Sequence, residues 1–224
     1  MSVVFPSLYA IIDPTLLQAS ELSFAESMVE AGVQLLQYRD KRAATRQLFE
    51  MSNLLSHRLS GLARAGTRPV RFIVNDRPDI AMLVGAGGVH VGQTDLGVEQ
   101  ARAIVGREPW VGVSTHTLDQ VEAADRTSAD YVAFGPVFAT VTKEQADPVV
   151  GLRLLAEART RTGKPLVAIG GITLERAADT YRAGADSLAV ARDLLSSPDP
   201  GAQARAFLKE AARVERSADG SRLI

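Results

Sequence analysis

The amino-acid sequence predicts an α/β fold, a single (β/α)8 TIM barrel, on three observations. Short apolar runs alternate along the chain with longer segments in which apolar residues recur every three or four positions. Eight such runs can be counted, and eight parallel strands close a barrel. The length of 224 residues also suits one large domain better than two small ones.

Each predicted strand is followed by enough chain for a covering helix, so we predict one barrel domain over residues 1–213 and a flexible polar tail over 214–224. An open doubly wound sheet alternates in the same way, but polar clusters follow nearly every strand here, which favours the barrel. The clearest helical periodicity lies in Thr45–Leu62, Gln120–Arg126, Leu152–Thr162 and Leu174–Ala183. The strands are predicted at Leu8–Asp13, Val33–Arg39, Arg71–Asn75, Gly88–Val91, Trp110–Ser114, Tyr131–Phe134, Pro165–Ile169 and Ser187–Val190.

Composition and charge argue against several classes of protein. Apolar residues make up 46% and charged residues 23%, which is ordinary globular usage and argues against disorder. The net charge of -1 argues against nucleic-acid or membrane binding through bulk electrostatics, so local charges must bind any anionic ligand. There is no cysteine for a disulfide or a thiolate zinc site, and no apolar run can span a bilayer or act as a secretion signal. We therefore expect a cytoplasmic protein with neither nucleic-acid nor membrane partners.

The end of the second predicted strand carries an amide and two cations. Alternation along the strand puts Gln37, Arg39 and Lys41 on one side, where they can converge at the mouth of the barrel. The intervening residues are Tyr38 and Asp40. A solvated strand end would explain the same pattern, so the run by itself leaves both interpretations open.

Two carboxylates follow neighbouring strands. Asn75 and Asp76 end the third strand, and Asp95 follows the fourth. Magnesium takes one or two protein carboxylates and completes its shell with water and phosphate oxygens, so the pair predicts a Mg²⁺ site. Each aspartate also precedes a helical segment, and helix N-capping is the alternative for each one alone.

The later strands end in groups suited to anions. Ser114 and His116 follow the fifth strand, where caps would also explain the hydroxyls, and a long loop after the sixth carries Thr140, Val141, Thr142 and Lys143. An exposed arm is the alternative for that loop. Gly170 and Gly171 follow the seventh strand, and Ala191 and Arg192 end the eighth. Loops after strands seven and eight commonly bind phosphate in barrels.

In chain order the motifs QYRDK, ND, GQTD, GVSTHT, GPVFATVTK, IGGIT and GADSLAVARDLL resemble the thiamine phosphate synthase family across nearly the whole chain. GPVFATVTK and QYRDK are the most specific of them. The resemblance implies a (β/α)8 barrel transferase that joins hydroxymethylpyrimidine diphosphate to thiazole phosphate with Mg²⁺ and releases diphosphate. It implies a dissociative substitution, two small-molecule substrates, and a homodimer as a possible assembly.

The resemblance also assigns residues, position by position. Asp76 and Asp95 match the magnesium ligands, and Arg39, Lys41, Ser114 and Lys143 are the implied catalytic residues. Relatives often have an aliphatic residue and a serine where this chain has Ala191 and Arg192, a change that backbone contacts would survive. The implied pyrimidine-diphosphate contacts are Gln37, Tyr38, Arg39, Asp40, Lys41, Asn75, Ser114 and Lys143. The implied thiazole-phosphate contacts are Thr140, Val141, Thr142, Gly171, Ala191 and Arg192.

Two other functions remain open from the sequence. A thiazole tautomerase of the same fold needs a proton shuttle, for which His116 is the candidate, and no metal. Asp76, Asp95 and Lys143 argue against it, because they serve a diphosphate and its metal. A non-catalytic phosphate sensor would keep the glycines after strand seven but has no use for the charged cluster.

We predict that Lys143→Ala lowers kcat by more than it raises either KM, because the charge of Lys143 acts as negative charge develops on the leaving diphosphate. Losing one such contact costs on the order of 3 kcal/mol, or roughly a hundredfold in rate. Steady-state kinetics with both substrates saturating measures this, and unchanged thermal unfolding is the control. A kcat within about twofold of wild type in a folded variant would show that Lys143 is not catalytic.

Overall fold

The computed structural model describes residues 5–64, 69–140 and 148–220, and within them eight parallel strands close into a barrel in sequence order, β1 pairing with β8. The predicted fold is confirmed, and the open doubly wound sheet is wrong. The strands are β1 Leu8–Ile12, β2 Leu35–Tyr38, β3 Arg71–Asn75, β4 Gly88–Val91, β5 Trp110–Thr115, β6 Tyr131–Phe134, β7 Leu166–Ile169 and β8 Ser187–Val190.

Helices follow the strands and cover the outside of the barrel. Their buried faces pack with the outward-facing strand residues into one large apolar cluster. No helix in the described ranges combines the length and apolarity needed to cross a bilayer. The helices are α1 Glu21–Glu30, α2 Thr45–Arg64, α3 Pro78–Leu83, α4 Val98–Val105, α5 Leu118–Asp125, α6 Gly151–Arg159, α7 Leu174–Arg182, α8 Arg192–Leu195 and α9 Pro200–Gly220.

Some predicted boundaries were wrong by one to three residues, because the terminal residues of the periodic runs form turns and helix caps instead of strand or helix. Strand β2 begins at Leu35 rather than Val33, because the Val33 N–H bonds the Met28 carbonyl and closes helix α1. Helix α5 begins at Leu118 rather than Gln120, because the Thr117 hydroxyl caps it by accepting from the Gln120 N–H.

The last helix differs from the predicted tail. Helix α9 continues through Gly220, so residues 214–220 are helical rather than irregular; residues 221–224 lie outside the described residues. The helix packs against both α1 and α7 and buries Ala204, Phe207 and Ala211. Helix α9 thereby covers the seam where β8 meets β1, and α8 is a short extra helix at the strand ends.

The barrel interior is a separate, smaller cluster built from every second strand residue. Tyr9, Leu35, Ile73 and Tyr131 are its large members, and they close the barrel below the strand ends. The ring of Tyr131 has room because Gly112 lies next to it on β5, where an added Cβ would overlap the tyrosine ring. A glycine in this strand therefore makes space for a large interior side chain.

We predict that Gly112→Ala destabilises the protein by about 1–3 kcal/mol, because the new methyl group must displace the buried Tyr131 ring. Gly61→Ala is the matched control, since the same methyl group on the exposed face of α2 meets no atom within 4 Å. That control should be neutral or more stable by up to about 1 kcal/mol. Urea unfolding measures both, and equal midpoints for Gly112→Ala and wild type would contradict the packing argument.

Candidate active site

A cavity of about 1230 Å³ opens at the carboxyl ends of the strands, the end at which barrel enzymes bind ligands. Side chains from all eight strand ends reach it, so the polar motifs that are scattered along the sequence meet in one place. The residues expected from the sequence that line it are Gln37, Arg39, Lys41, Asn75, Asp76, Asp95, Ser114, Thr140, Gly171, Ala191 and Arg192.

Strand β2 supplies Gln37 to the cavity, and the residues that follow the strand supply Arg39 and Lys41, as alternation predicts. Arg39 Nη1 donates to Asp13 Oδ2 at 2.7 Å, and both side chains are largely buried. Asp13 also accepts from the Thr15 hydroxyl, so its carboxylate is fixed before it meets the guanidinium. A buried, paired guanidinium is a preorganised anion-binding group.

Tyr38 and Asp40 do not reach the cavity wall, in contrast to the contacts that the resemblance implies. Tyr38 points outward into the apolar cluster between strands and helices, because it has the opposite parity to Gln37. The Asp40 carboxylate accepts from the N–H groups of Arg42 and Ala43 and so shapes the turn after β2. Neither residue is among those that line the cavity, and their contacts with a ligand stay a prediction.

The two predicted metal ligands lie side by side. Asp76 has φ of 62°, the one positive φ among non-glycine residues in the described ranges, and its N–H donates to the His90 carbonyl. Aspartate tolerates this conformation better than most residues, and strained backbone clusters at functional sites. Lys41 Nζ lies 2.9 Å from Asp76 Oδ2. Asp95 Oδ2 accepts from the Gly92 N–H at 2.7 Å.

Burial raises the pKa of the Asp95 carboxyl, and the neighbouring Asp76 raises the same pKa further, against the lowering effect of the Gly92 N–H. Two carboxylates held this close repel each other unless a cation joins them. Neither aspartate caps a helix: the N-cap of α3 is Arg77 and that of α4 is Gly97. The capping alternative is therefore wrong. No cluster of three or more His, Cys, Asp or Glu ligands occurs among the described residues.

Strand β5 ends in Ser114 and leads to His116. The Ser114 hydroxyl lies 2.8 Å from His90 Nε2, which joins the ends of β4 and β5 inside the cavity. His116 Nδ1 lies 2.6 Å from the Gly135 carbonyl oxygen. Because that oxygen can only accept, Nδ1 carries a proton and donates it to the Gly135 carbonyl.

The seventh strand end is a close-packed turn. Gly171 has φ of 62°, and a Cβ there would lie 2.5 Å from the Ala139 carbonyl oxygen, so only glycine fits. The loop after β6 is bonded to it, with the Phe138 N–H donating to the Gly170 carbonyl. Thr140 from this loop lines the cavity. Val141, Thr142 and Lys143 lie outside the described residues.

Two arginines stand near this turn. Arg176 donates to the Gly171 carbonyl at 2.7 Å and stacks on the Phe138 ring at 4.6 Å. Arg192, at the start of α8, also lines the cavity. Asp193 beside it accepts from the Leu174 N–H and from Gln203 Nε2, which ties α8 to α7 and α9. The glycine turn and the two cations together form an edge suited to a phosphate.

Several cavity residues were missed by sequence reasoning. Asp13 directly follows β1 with the parity of Ile11, and this is the signal that could have indicated it. Arg176 lies in the first turn of α7, where strand parity does not apply. His90 is buried and hydrogen-bonded within β4, and it also lines the cavity. Tyr9 lines the cavity floor, and only tertiary pairing could have shown that.

Fold and cavity together define a (β/α)8 barrel with a charged ligand site at its strand ends. The family model described as thiamine monophosphate synthase matches residues 8–194. The chain is 47% identical over 209 residues to a thiamine-phosphate synthase of Koribacter versatilis, with 91% of this chain and 95% of that protein covered. It is 39% identical to the one from Methanospirillum hungatei, with 89% and 95% covered.

Among solved structures, the thiamine phosphate pyrophosphorylase from Pyrococcus furiosus superimposes with a TM-score of 0.81 at 29% identity, with 93% of this chain and 96% of that chain covered. The chain therefore belongs to the thiamine monophosphate synthase family. The resemblance to this family is confirmed, and the protein is a transferase.

We predict that Asp95→Asn stabilises the metal-free protein at pH 7, by less than about 1 kcal/mol because solvent screens the half-exposed pair. The folded-state pKa of Asp95 is raised above the unfolded value. Protonated Asp95 therefore contributes stability below the unfolded pKa, and this contribution is lost as the pH rises through the folded pKa. The uncharged amide escapes that loss.

Urea unfolding of both proteins in excess chelator, at pH 4 and at pH 7, measures the effect. The advantage of the variant should grow from the lower to the higher pH. A variant that is no more stable than wild type at pH 7 would contradict the raised pKa that burial and Asp76 give to Asp95.

Proposed function

We propose that this chain is a thiamine phosphate synthase, a transferase that joins hydroxymethylpyrimidine diphosphate to thiazole phosphate and releases diphosphate. The observation that carries the proposal is the division of one cavity into two charged edges. The edge at β2–β4 holds Arg39, Lys41, Asp76 and Asp95, and the edge at β7–β8 holds the glycine turn and its arginines. Two phosphorylated substrates can therefore be held in one cavity, each by its own edge.

The first edge suits a diphosphate with a divalent cation. Arg39 and Lys41 each form an ion pair with a carboxylate, and this pairing holds both cations in position at the cavity. Asp76 and Asp95 are the chain's own oxygen ligands for Mg²⁺, and water and phosphate oxygens would complete the shell. Bound there, Mg²⁺ would supply positive charge to the leaving diphosphate.

The reaction requires little acid–base chemistry from the protein. The C–O bond between the pyrimidine methylene and the diphosphate breaks, and its electron pair leaves on the diphosphate oxygen. The thiazole nitrogen then donates its lone pair to the methylene carbon and becomes the positively charged thiazolium nitrogen, so no proton is lost. Arg39 and Lys41 neutralise the departing charge, and the cavity holds both reactants in line.

The second edge suits the phosphate of the thiazole. A turn of two glycines lets backbone N–H groups approach a phosphate oxygen, and Arg176 and Arg192 supply charge. Arg176 is anchored on Phe138 and on the Gly171 carbonyl, so it binds with little loss of side-chain freedom. Charge on Arg192 compensates here for the serine that relatives often have at that position.

A thiazole tautomerase is the second candidate, because the imidazole of His116 lines the cavity and could move a proton. That function gives no role to the paired carboxylates or to Lys41. A phosphate sensor likewise needs only the edge at β7–β8. Isomerisation of the thiazole without a pyrimidine substrate would favour the tautomerase, and phosphate binding without turnover would favour the sensor.

We predict that the wild-type protein forms thiamine phosphate from the two substrates with Mg²⁺ and that excess chelator abolishes the product. Asp76→Asn should lower kcat by about a hundredfold or more, because one electrostatic contact to the leaving group is lost. Asparagine is chosen since it tolerates the positive φ at this position. Product formation is followed by chromatography.

Metal binding has its own measurement, independent of turnover. Mg²⁺ should raise the thermal midpoint of the wild type but not that of Asp76→Asn, since a ligand that binds only the folded state stabilises it. Asp79→Asn is the matched control. The wild-type Asp79 carboxylate, on α3, pairs with Arg77 and does not line the cavity. This variant should respond to Mg²⁺ as wild type does. Full activity in chelator, or an equal response of all three proteins, would reject the proposed metal site.

A further inference from the structure

We propose that a chain of five hydrogen-bonded side chains across the barrel floor, Gln37–Tyr9–Tyr131–His90–Ser114, fixes which end of the pyrimidine site accepts and which end donates a hydrogen bond. Tyr9, Tyr131 and His90 are then positioning residues that determine specificity for an amino-substituted ring. This inference rests on the proposed function for the identity of the ligand, but the hydrogen-bond chain itself is a property of the ligand-free protein.

The chain is continuous. Gln37 Nε2 donates to Tyr9 Oη at 2.7 Å, and Tyr9 Oη lies 2.9 Å from Tyr131 Oη. Tyr131 Oη lies 3.1 Å from His90 Nδ1, and His90 Nε2 lies 2.8 Å from Ser114 Oγ. The tyrosine rings meet edge to face and the His90 ring stacks on Tyr131, so packing holds the polar atoms in line.

Counting protons gives the chain a direction. Gln37 donates to Tyr9, and the acceptor within the hydrogen-bonded series for the Tyr9 hydroxyl proton is then Tyr131 Oη. The Tyr131 proton in turn goes to His90 Nδ1. A neutral imidazole with Nδ1 as acceptor carries its proton on Nε2, which donates to Ser114 Oγ. The Ser114 proton then points into the cavity, and Gln37 Oε1 remains as an acceptor at the other end. Each hydroxyl group and the neutral imidazole thus donates its single proton once.

Both tyrosines remain neutral donors. Burial raises the pKa of Tyr9 and raises the pKa of Tyr131 still more clearly, with no charged partner to oppose it. Each hydroxyl therefore always has one proton to give. If one donor were reversed, one oxygen would accept twice and its own buried proton would have no acceptor within the series, so the series reverses only as a whole.

The direction matches an aminopyrimidine. Its exocyclic amine donates and its ring nitrogen accepts, which fits Gln37 Oε1 at one end and the Ser114 hydroxyl at the other. A 4-oxo ring presents the opposite pattern, a carbonyl that accepts and a ring N–H that donates. To bind it, the Gln37 amide must rotate and all four inner hydrogen bonds must reverse. The buried tyrosines thus exclude the oxo ring without touching the groups by which the two rings differ.

The first test reads the tautomer of His90 by ¹⁵N NMR of the ligand-free protein, in which His90 is one of only three histidines. We expect the Nε2–H tautomer in wild type and a mixture of both tautomers in Tyr131→Phe, which removes the hydroxyl that donates to Nδ1. Tyr181→Phe is the matched control, because the Tyr181 hydroxyl donates to the Ser7 carbonyl and takes no part in the hydrogen bonds from Gln37 to Ser114. It should leave the His90 signals unchanged.

The second test uses 4-amino and 4-oxo hydroxymethylpyrimidine monophosphates, which cannot lose diphosphate, as probes in calorimetry. Wild type should bind the amino form more tightly. In Tyr9→Phe the Gln37 amide is free to rotate, and the ratio of the two dissociation constants should fall about tenfold or more, the effect of about one misdirected hydrogen bond. Tyr181→Phe should keep the ratio within about twofold of wild type.

An Nδ1–H or doubly protonated His90 in wild type, or an unchanged tautomer in Tyr131→Phe, would overturn the inference. So would a wild-type ratio near one, or a ratio that neither Tyr9→Phe nor Tyr131→Phe changes. A wild-type protein that makes no thiamine phosphate would reject the proposed function instead, and the tautomer of ligand-free His90 would still decide whether the chain has the proposed direction.

Discussion

The two-residue alternation of eight parallel strands determines which side chains reach the cavity, because a closed barrel leaves each residue either inside or under a helix. On β2 this puts Gln37 inside and Tyr38 outside, and a shift of one residue would exchange them. Parallel pairing further brings every carboxyl strand end to one rim. Charged groups that are far apart in sequence therefore lie close together at this rim, because strand pairing and not their own interactions positions them.

Ion pairs at that rim hold the cations ready for a ligand. Arg39 and Lys41 each face an aspartate, and in both cases the partner comes from a neighbouring strand end. Such pairs add little stability where they are exposed, as at Lys41. Their value lies in positioning, because a guanidinium already fixed on Asp13 has less side-chain freedom to lose when an anion arrives.

The fold and much of the rim could be predicted because they depend on local patterns. Strand parity and composition indicated Arg39, Asp76 and Asp95 before any contact was known. The outward direction of Tyr38 was not foreseen, because the resemblance was assigned along consecutive residues, whereas neighbours on a strand face opposite ways. The contact of Tyr9 with Tyr131 spans 122 residues, and it depends on space that Gly112 leaves. Such pairings are tertiary, and no local pattern encodes them.

Helix α9 has a consequence for how the chain acquires its structure. It covers the seam where β8 pairs with β1, and Leu8 there lies opposite Leu188. Contacts between residues so distant along the chain are the slowest to form, because a long loop must close first. During synthesis the first strand must therefore wait, with one edge unpaired, until β8 has left the ribosome. The barrel stays open until β8 pairs with β1, and a chain that ended before β8 would expose an unpaired strand edge to which other chains could bind.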